Sequence, residues 1–291
     1  MAHKAGYVNI IGEPNVGKST LVNALLGEKL VITNPKAQTT RHRILGILNG
    51  DDHQLVLSDT PGILEPQYKL QQRMMHAVDE ALIDADVLVM LVELGQTPER
   101  SELLLKRASR FDGTKLLLVN KIDTGDQVKV AEALQRWQEA LPGVKVAAIS
   151  ALHGFNIDDL RSWLIGHLPE HPPYFPKDDL SDRDQRFFVS EIIRQHVLDQ
   201  FKQEVPYSTQ VVVNSFGEAE DIVRIQADVI VMRESQKGIL IGQGGTALRR
   251  LGTAARKDIE AFVGTKVFLD LKVKVDPDWR EDEKKLRNYG Y

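Results

Sequence analysis

The octapeptide Gly12-Glu13-Pro14-Asn15-Val16-Gly17-Lys18-Ser19 has two glycines separated by four residues, followed at once by a lysine and a hydroxyl. Residues 7–11 before it read as a short buried strand, and residues 20–26 after it as a helix. A glycine-rich turn between a strand and a helix N-terminus aims backbone N–H groups into an anion-binding concavity, and the helix dipole adds to the attraction. The pattern predicts a phosphate cradle spanning Gly12–Thr20, in which Lys18 reaches the β- and γ-phosphates of a nucleotide and Ser19 ligates magnesium. Such a turn belongs at the carboxyl edge of a parallel sheet, so the turn alone already argues for an α/β fold.

The rest of the first half agrees. Apolar runs recur at 55–57, 87–92, 115–119 and 144–149, separated mostly by amphipathic stretches of helical length. Ala131, Leu134, Trp137 and Leu141 follow a helical period. Alternating short strands and helices predict a doubly wound, mostly parallel sheet. The exception is residues 44–48 and 54–57 around Asn49-Gly50-Asp51-Asp52, a hairpin signal that predicts one antiparallel edge strand.

With 291 residues the chain has room for two domains at roughly 100–200 residues each. Pro169, Pro172, Pro173 and Pro176, followed by Asp178, Asp179, Asp182 and Asp184, mark a boundary. The expected division is therefore 1–168, a linker at 169–184, and 185–291 with a C-terminal tail. The chain has no cysteine, which excludes disulfides, a cysteine nucleophile and thiolate metal sites. No apolar run is long enough to span a bilayer and the N-terminal residues leave no room for a signal peptide, so a cytoplasmic protein is expected. Net charge is −4, yet residues 237–257 carry five basic side chains and no acidic one. A local basic patch on an acidic chain argues for a defined anionic partner.

Three further motifs accompany the glycine turn. Asp59-Thr60-Pro61-Gly62, with Ile63 after it, lies at a strand end, where the carboxylate can hold magnesium and the Gly62 N–H can meet a γ-phosphate. Asn120-Lys121-Ile122-Asp123 ends another strand. Its Asp123 carboxylate can accept from the N1–H and the exocyclic amine of guanine, which adenine cannot supply, and so selects GTP. Ser150-Ala151-Leu152 ends the next strand, where backbone N–H groups can meet the guanine O6.

Together these pieces, in this order, resemble the GTPase superfamily over residues 6–168. That resemblance implies a switch loop at 34–41, in which one threonine closes on magnesium; Thr40 is expected ahead of Thr39. The catalytic set it implies is Lys18, Thr40, Asp59 and Gly62, with Ser19, Thr40 and Asp59 as magnesium ligands. Many small GTPases carry a glutamine where this chain has Ile63, so hydrolysis is expected to be slow, roughly 10⁻⁴–10⁻² per second. GTPases with an asparagine at the position of Asn15 can hold potassium against the phosphates, which implies a second cation here.

The second half reads α-β-β-α-α-β: a helix at 185–201, strands at 209–215 and 222–231, a short helix, a glycine turn, a helix to 263 and a strand at 266–275. Ile241-Gly242-Gln243-Gly244-Gly245 contains a Gly-x-x-Gly turn. Leu248, Leu251, Ala255, Ile259 and Phe262 form one face of the helix that follows, with Arg249, Arg250, Arg256 and Lys257 opposite. Turn and element order resemble a type II KH domain, a smaller α+β fold whose turn clamps about four nucleotides by their backbone. The RNA-binding set is then Lys237, Ile241, Gly242, Gln243, Gly244, Gly245, Arg249, Arg250, Arg256 and Lys257. Gln243-Gly244 stand where many such turns carry a lysine.

A GTPase domain, a linker and one type II KH domain form the arrangement of the bacterial Era family. Lys36-Ala37-Gln38-Thr39-Thr40-Arg41-His42-Arg43-Ile44, Glu191-Ile192-Ile193-Arg194 and Val205-Pro206-Tyr207-Ser208 resemble that family as well. The resemblance implies GTP and GDP as ligands, Mg2+ and K+ as cofactors, and the 3′ end of small-subunit (16S) ribosomal RNA and the 30S subunit as partners. It also implies a peripheral association with the inner membrane, and a monomer is expected. Two other readings fit the motifs less fully: a signalling GTPase whose second half binds protein, and a GTP-dependent modifying enzyme, for which the second half offers no nucleophile or metal cluster.

Overall fold

The computed structural model describes residues 2–291, which form two compact units. The first comprises residues up to Gln67 and Gln71–Asp182, the second Tyr68–Leu70 and Arg183–Tyr291. Among the described residues no helix is long and apolar enough to cross a membrane.

The first unit is built from β1 (Lys4–Ile11), α1 (Lys18–Leu26), β2 (Ile44–Asn49), β3 (His53–Asp59), α2 (Lys69–Ile83), β4 (Val87–Glu93), α3 (Glu102–Ala108), β5 (Thr114–Asn120), α4 (Gln127–Ala140), β6 (Lys145–Ala148) and α5 (Ile157–Gly166). Its six strands run in the order β2-β3-β1-β4-β5-β6. Only β2 is antiparallel to its neighbour, as the hairpin signal predicts. β4 is buried along all but its last residue, which explains its uninterrupted aliphatic run: both faces carry helices. On α2, Met74, Met75, Val78, Ala81 and Leu82 are buried at helical spacing. The β1–β3 register sets Asn9 beside Ser58 and Ile10 beside Asp59, so the ends of β1 and β3 that lead into the two phosphate motifs lie side by side.

Residues 169–182, expected as part of a linker, are bound along this unit. Gln54 is fully buried; its Oε1 accepts from the Tyr174 and Phe175 N–H groups at 2.7 and 3.0 Å, and its Nε2 donates to the Phe175 carbonyl at 2.8 Å. Further on, Ile47 N–H donates to the Leu180 carbonyl at 2.9 Å and Ser181 Oγ donates to the Leu45 carbonyl at 2.6 Å. A proline-rich stretch reads as a spacer because it is poor in donors. Here side chains and the free edge of β2 supply the missing bonds, and the strap covers an edge that would otherwise be open to pairing.

The second unit contains α6 (Gln185–Gln200), β7 (Gln210–Ala219), β8 (Ile222–Val231), α7 (Glu234–Ile241), α8 (Thr246–Val263), β9 (Val267–Val275) and α9 (Glu283–Asn288). The sheet order is β7-β8-β9, antiparallel then parallel. Its core is aliphatic: Val189, Ile193 and Val197 of α6 and Leu251, Ala255 and Ile259 of α8, each set at steps of four residues, cluster with Ile225, Ala227 and Val229 of β8, at steps of two. Leu248 is partly buried against this core and Phe262 stays 38% exposed, so the apolar face of α8 is narrower than its sequence suggests. α9 is absent from the sequence reading. It begins at Asp282, whose carboxylate caps the Lys284 and Lys285 N–H groups, and Trp279 just before it is fully buried with its Nε1 donating to the Ser208 carbonyl at 3.0 Å.

Candidate functional site

The turn from β1 into α1 needs its glycines for two different reasons. A Cβ on Gly12 would run into the Leu91 carbonyl oxygen, so the loop can pass β4 only without a side chain. Gly17 has φ +101°, and a Cβ there would also collide with Asn120 Nδ2. Asn15 is exposed with φ 67°, while Val16 is buried beneath the loop. Glu13 and Pro14 are half-buried at its mouth. Burial pushes the Glu13 carboxyl up, opposed by a hydrogen bond from Gln96.

Lys18 is buried, and its Nζ donates to the Gly12 and Glu13 carbonyls at 3.0 and 2.8 Å. Burial pulls its pKa down to about 8, against the opposing pull of Asp59 and Glu13. The ammonium is thus held in the loop by two carbonyls, at an electrostatic cost that an anion would relieve.

Beside it three oxygen donors converge. Ser19 Oγ donates to Asp59 Oδ2 at 2.7 Å, Thr40 Oγ1 donates to the same oxygen at 3.1 Å, and the two hydroxyls lie 2.9 Å apart. Neighbouring ligands of an octahedral Mg2+ ion lie about 2.9 Å from each other, and the ion prefers hard oxygen donors, so this set fits magnesium in both chemistry and spacing. Thr39 turns the other way, its Oγ1 donating to the Lys36 carbonyl at 2.7 Å. Thr20, next after Ser19, lines the same cleft.

The Asp59–Gly62 turn is fastened to both β1 and the loop. Thr60 Oγ1 donates to the Ile10 carbonyl at 2.6 Å, and Ile63 N–H donates to the Gly12 carbonyl at 2.9 Å. A Cβ on Gly62 would lie 2.7 Å from Pro14 Cα. Pro61 is buried, and Ile63 is 1% exposed, with neither the position nor the chemistry to orient a water.

The base-reading motifs interlock. Asn120 Nδ2 donates to the Val16 carbonyl at 2.8 Å and its Oδ1 accepts from Ala151 N–H at 3.0 Å, so one amide braces the phosphate loop to the 150–152 turn. Lys121, at φ 60°, places its ammonium on Glu93. The Asp123 side chain is half-buried; a hydrogen bond from Ser150 Oγ at 2.6 Å holds its carboxyl below the usual carboxylate range, with smaller help from His153 and Lys121. Leu152 is 74% exposed, and with Lys121 it lines the far end of a cleft of about 490 Å³ that begins at Asn15 and Lys18. Of that lining, Thr33 alone escaped the sequence reading; Asn34, Pro35, Lys36 and Gln38 belong to the expected switch loop, without their facing the cleft having been foreseen. A loop without periodicity gives no signal for which of its members face inward.

The second unit has its own groove, of about 360 Å³, between α8 and β9. Gly242 has φ 71° and ψ 172°, a conformation open almost only to glycine, and Gly244 and Gly245 are also left-handed, at φ 58° and 76°. Gln243 and Gly244 are exposed, and no atom lies within 4 Å of a Cβ built on Gly244 or Gly245, so a ligand backbone can approach the main chain directly. The basic residues separate. Arg249 and Arg256 line the groove, whereas Arg250 Nε donates to Gln200 of α6 at 3.2 Å. Lys257 is exposed on α8 away from the lining, and Ile241 is partly buried in the core. Lys237 lies on α7, 3.8 Å from Glu234. The opposite wall is Leu269 and Leu271 of β9, which the sequence reading missed because only the parallel β8–β9 pairing brings that strand to α8.

Comparison with known proteins bears on both units. Residues 7–121 match the family of 50S ribosome-binding GTPases, and residues 204–280 match the KH domain family. A chloroplastic ERA-like GTPase of Arabidopsis thaliana is 46% identical over 99% of this chain and 69% of its own length. GTPase Era of Syntrophus aciditrophicus is 43% identical over 99% of this chain and 95% of its own. A crystal structure of Era with MgGDPNP and nucleotides 1506–1542 of 16S ribosomal RNA superposes with a TM-score of 0.95 at 36% identity, covering 99% of each chain. An Aquifex aeolicus Era variant bound to GDP and aluminium fluoride gives the same score.

Proposed function

The chain belongs to the Era family of GTPases, and from that premise we propose that it is a GTP-hydrolysing factor that binds the 3′-end region of small-subunit ribosomal RNA through its KH domain and acts in assembly of the 30S subunit. The observation that carries the reading is the pairing, in one chain, of a magnesium-type oxygen cluster at Ser19, Thr40 and Asp59 with a glycine turn that opens onto a groove lined by Arg249 and Arg256. Each half answers one ligand of the relative crystallised with MgGDPNP and 16S RNA.

The roles follow from the chemistry of the positions. Backbone N–H groups of residues 13–18 and the Lys18 ammonium bind the phosphates. Asp123 reads guanine, Asn120 keeps the phosphate loop and the 150–152 turn in register, and Leu152 with the stem of Lys121 covers the two faces of the base. Ser19, Thr40 and Asp59 hold Mg2+, which when bound neutralises charge on the β- and γ-phosphates. Thr40 and the Gly62 N–H report the γ-phosphate, so the loops they sit on relax after hydrolysis. Neither Ile63 nor Leu64 can orient the attacking water, which supports slow intrinsic turnover. Asn15, exposed at the mouth of the cleft, is the candidate for a potassium ligand beside the phosphates. Turnover that is equal in potassium and sodium buffers would remove that part.

Gly242–Gly245 clamp the RNA backbone, and Arg249 and Arg256 neutralise phosphates along the groove. If the nucleotide state alters RNA affinity, RNA must alter nucleotide affinity by the same factor. A cytoplasmic monomer that touches the inner membrane peripherally completes the proposal, and this last part rests on family membership alone.

The deciding measurement is the affinity for a single-stranded RNA copying the 3′ end of the small-subunit ribosomal RNA. It is made with a non-hydrolysable GTP analogue and with GDP, at two salt concentrations. Tight, salt-dependent binding that favours the GTP form is the expected result. Equal binding in both states would leave the RNA site and sink the coupling. No binding in either state would turn the second unit into a protein-interaction module.

A further inference from the structure

Arg43 stands three residues after Thr40, at the point where the switch loop enters β2, and its guanidinium is the hub of a network outside the lining of the nucleotide cleft. Nη1 and Nη2 donate to the two carboxylate oxygens of Asp84 at 2.7 and 2.8 Å, a forked pair. Nε donates to Ser58 Oγ at 2.8 Å, and Nη2 also meets Asn9 Oδ1 at 3.3 Å. Asn9 and Ser58 are fully buried, and Asn9 Nδ2 donates in turn to Asp84 Oδ1 at 2.9 Å and to the Ala81 carbonyl in the last turn of α2.

The partners lead to the magnesium cluster along the chain, Ser58 directly and the other two through intervening residues. Ser58 precedes Asp59 in β3. Asn9 precedes Ile10, whose carbonyl anchors Thr60. Asp84 follows α2, the helix downstream of the Asp59–Gly62 turn. One side chain therefore links the exit of the switch loop, the strand carrying Asp59, the strand entering the phosphate loop and the end of α2.

We propose that Arg43 is a positioning residue for GTP hydrolysis: by tying the loop that carries Thr40 to the strand that carries Asp59, it sets the distance between these two magnesium ligands in the GTP state. The proposal rests on the magnesium reading of Ser19, Thr40 and Asp59 given above. Lysine cannot replace Arg43, because the network uses the planar fork and the Nε donor at once. GDP binding does not depend on the network, since the phosphate loop and Asp123 hold GDP without Thr40.

The test titrates Mg2+ against binding of GDP and of a non-hydrolysable GTP analogue, and measures kcat and KM for GTP, in Arg43→Ala, Arg43→Lys and Asp84→Asn. Thr40→Ala serves as the reference. Residues that orient metal ligands typically cost about ten- to a hundredfold in metal affinity or activity when removed. The Mg2+ midpoint for the GTP analogue should rise within that range in Arg43→Ala and Arg43→Lys, and less in the isosteric Asp84→Asn. The midpoint for GDP should stay in place, and kcat should fall with little change in KM. Unchanged midpoints and turnover in the three variants would overturn the proposal while leaving the magnesium site standing. So would an equal shift for GDP and the analogue, the mark of a merely structural role. Should Arg43→Ala fail to fold, Asp84→Asn decides by the same readouts. If Thr40→Ala leaves the analogue midpoint unmoved, the reading of Thr40 itself fails, and the proposal with it.

Discussion

The nucleotide cleft and the groove of the second unit both suit anions, yet they are built in opposite ways. In the cleft almost every functional side chain has a partner within the protein: Lys18 on two carbonyls, Asn120 between two loops, Ser19 and Thr40 on Asp59, Asp123 on Ser150. In the groove the turn is bare main chain at positive φ, and Arg249 is an exposed side chain. The first arrangement is preorganised and discriminates by leaving buried or aligned groups unpaired when the wrong ligand binds. The second, as the proposed RNA site, would draw its affinity from phosphate charge.

The sharpest way to break that comparison is Asp123→Ala. A site that hydrogen-bonds a base edge can reject the wrong base by as much as about 10⁴-fold, so selectivity for GTP over ATP should collapse while RNA affinity is untouched. Competition binding with both nucleotides measures it. Next comes Gly242→Ala. The residue has φ 71° and ψ 172°, and its Cβ would lie 2.8 Å from that of Ala247, so about 1–3 kcal/mol of strain should fall on the turn. RNA binding should weaken about ten- to a hundredfold at unchanged GTP turnover.

Salt should separate the two sites as well. If the groove neutralises about three phosphates, RNA affinity should drop about twentyfold between 50 and 200 mM salt. Guanine selectivity, set by hydrogen bonds, should hold over that range. Acidity then tests the cleft. The phosphates require the Lys18 ammonium, whose pKa burial lowers to about 8. GDP affinity should be full below that pH and fall by up to about tenfold per unit above it, because the proton must be taken up on binding. A flat profile from about pH 7 to 9.5 by calorimetry would contradict the lowered pKa of Lys18. The smallest effect distinguishes two adjacent arginines: Arg249→Ala should reduce the salt slope of RNA binding by about 0.7, and Arg250→Ala, which removes a contact to Gln200, should leave it unchanged.

Much of this was legible beforehand where chemistry is local in sequence. The phosphate loop, the Asp59–Gly62 turn and Asn120–Asp123 each sit within a few residues, and their spacing carries their meaning. Illegible parts depend on neighbours far along the chain. Asn120 reads in sequence only as a member of the nucleotide motif, and the fold shows it bracing Val16 and Ala151. Proline density in 169–176 suggested a spacer, because the Gln54 amide that receives the strap lies over a hundred residues away. The four basic residues of α8 looked equivalent, but helix rotation against α6 and β9 gives them different neighbours.

By itself, then, the sequence determined most of the elements that form, α9 excepted, their α/β and α+β classes, and the motif residues suited to phosphate, guanine and RNA backbone. These follow from periodicity, glycine conformation and donor–acceptor chemistry, all of which act over a few residues. The tertiary structure alone decided which of two adjacent threonines faces Asp59, that Arg43 joins four separate segments, and that β9 forms the second wall of the groove. Each depends on where a side chain points once distant strands pair, and long-range registration is the one quantity that local propensity does not carry.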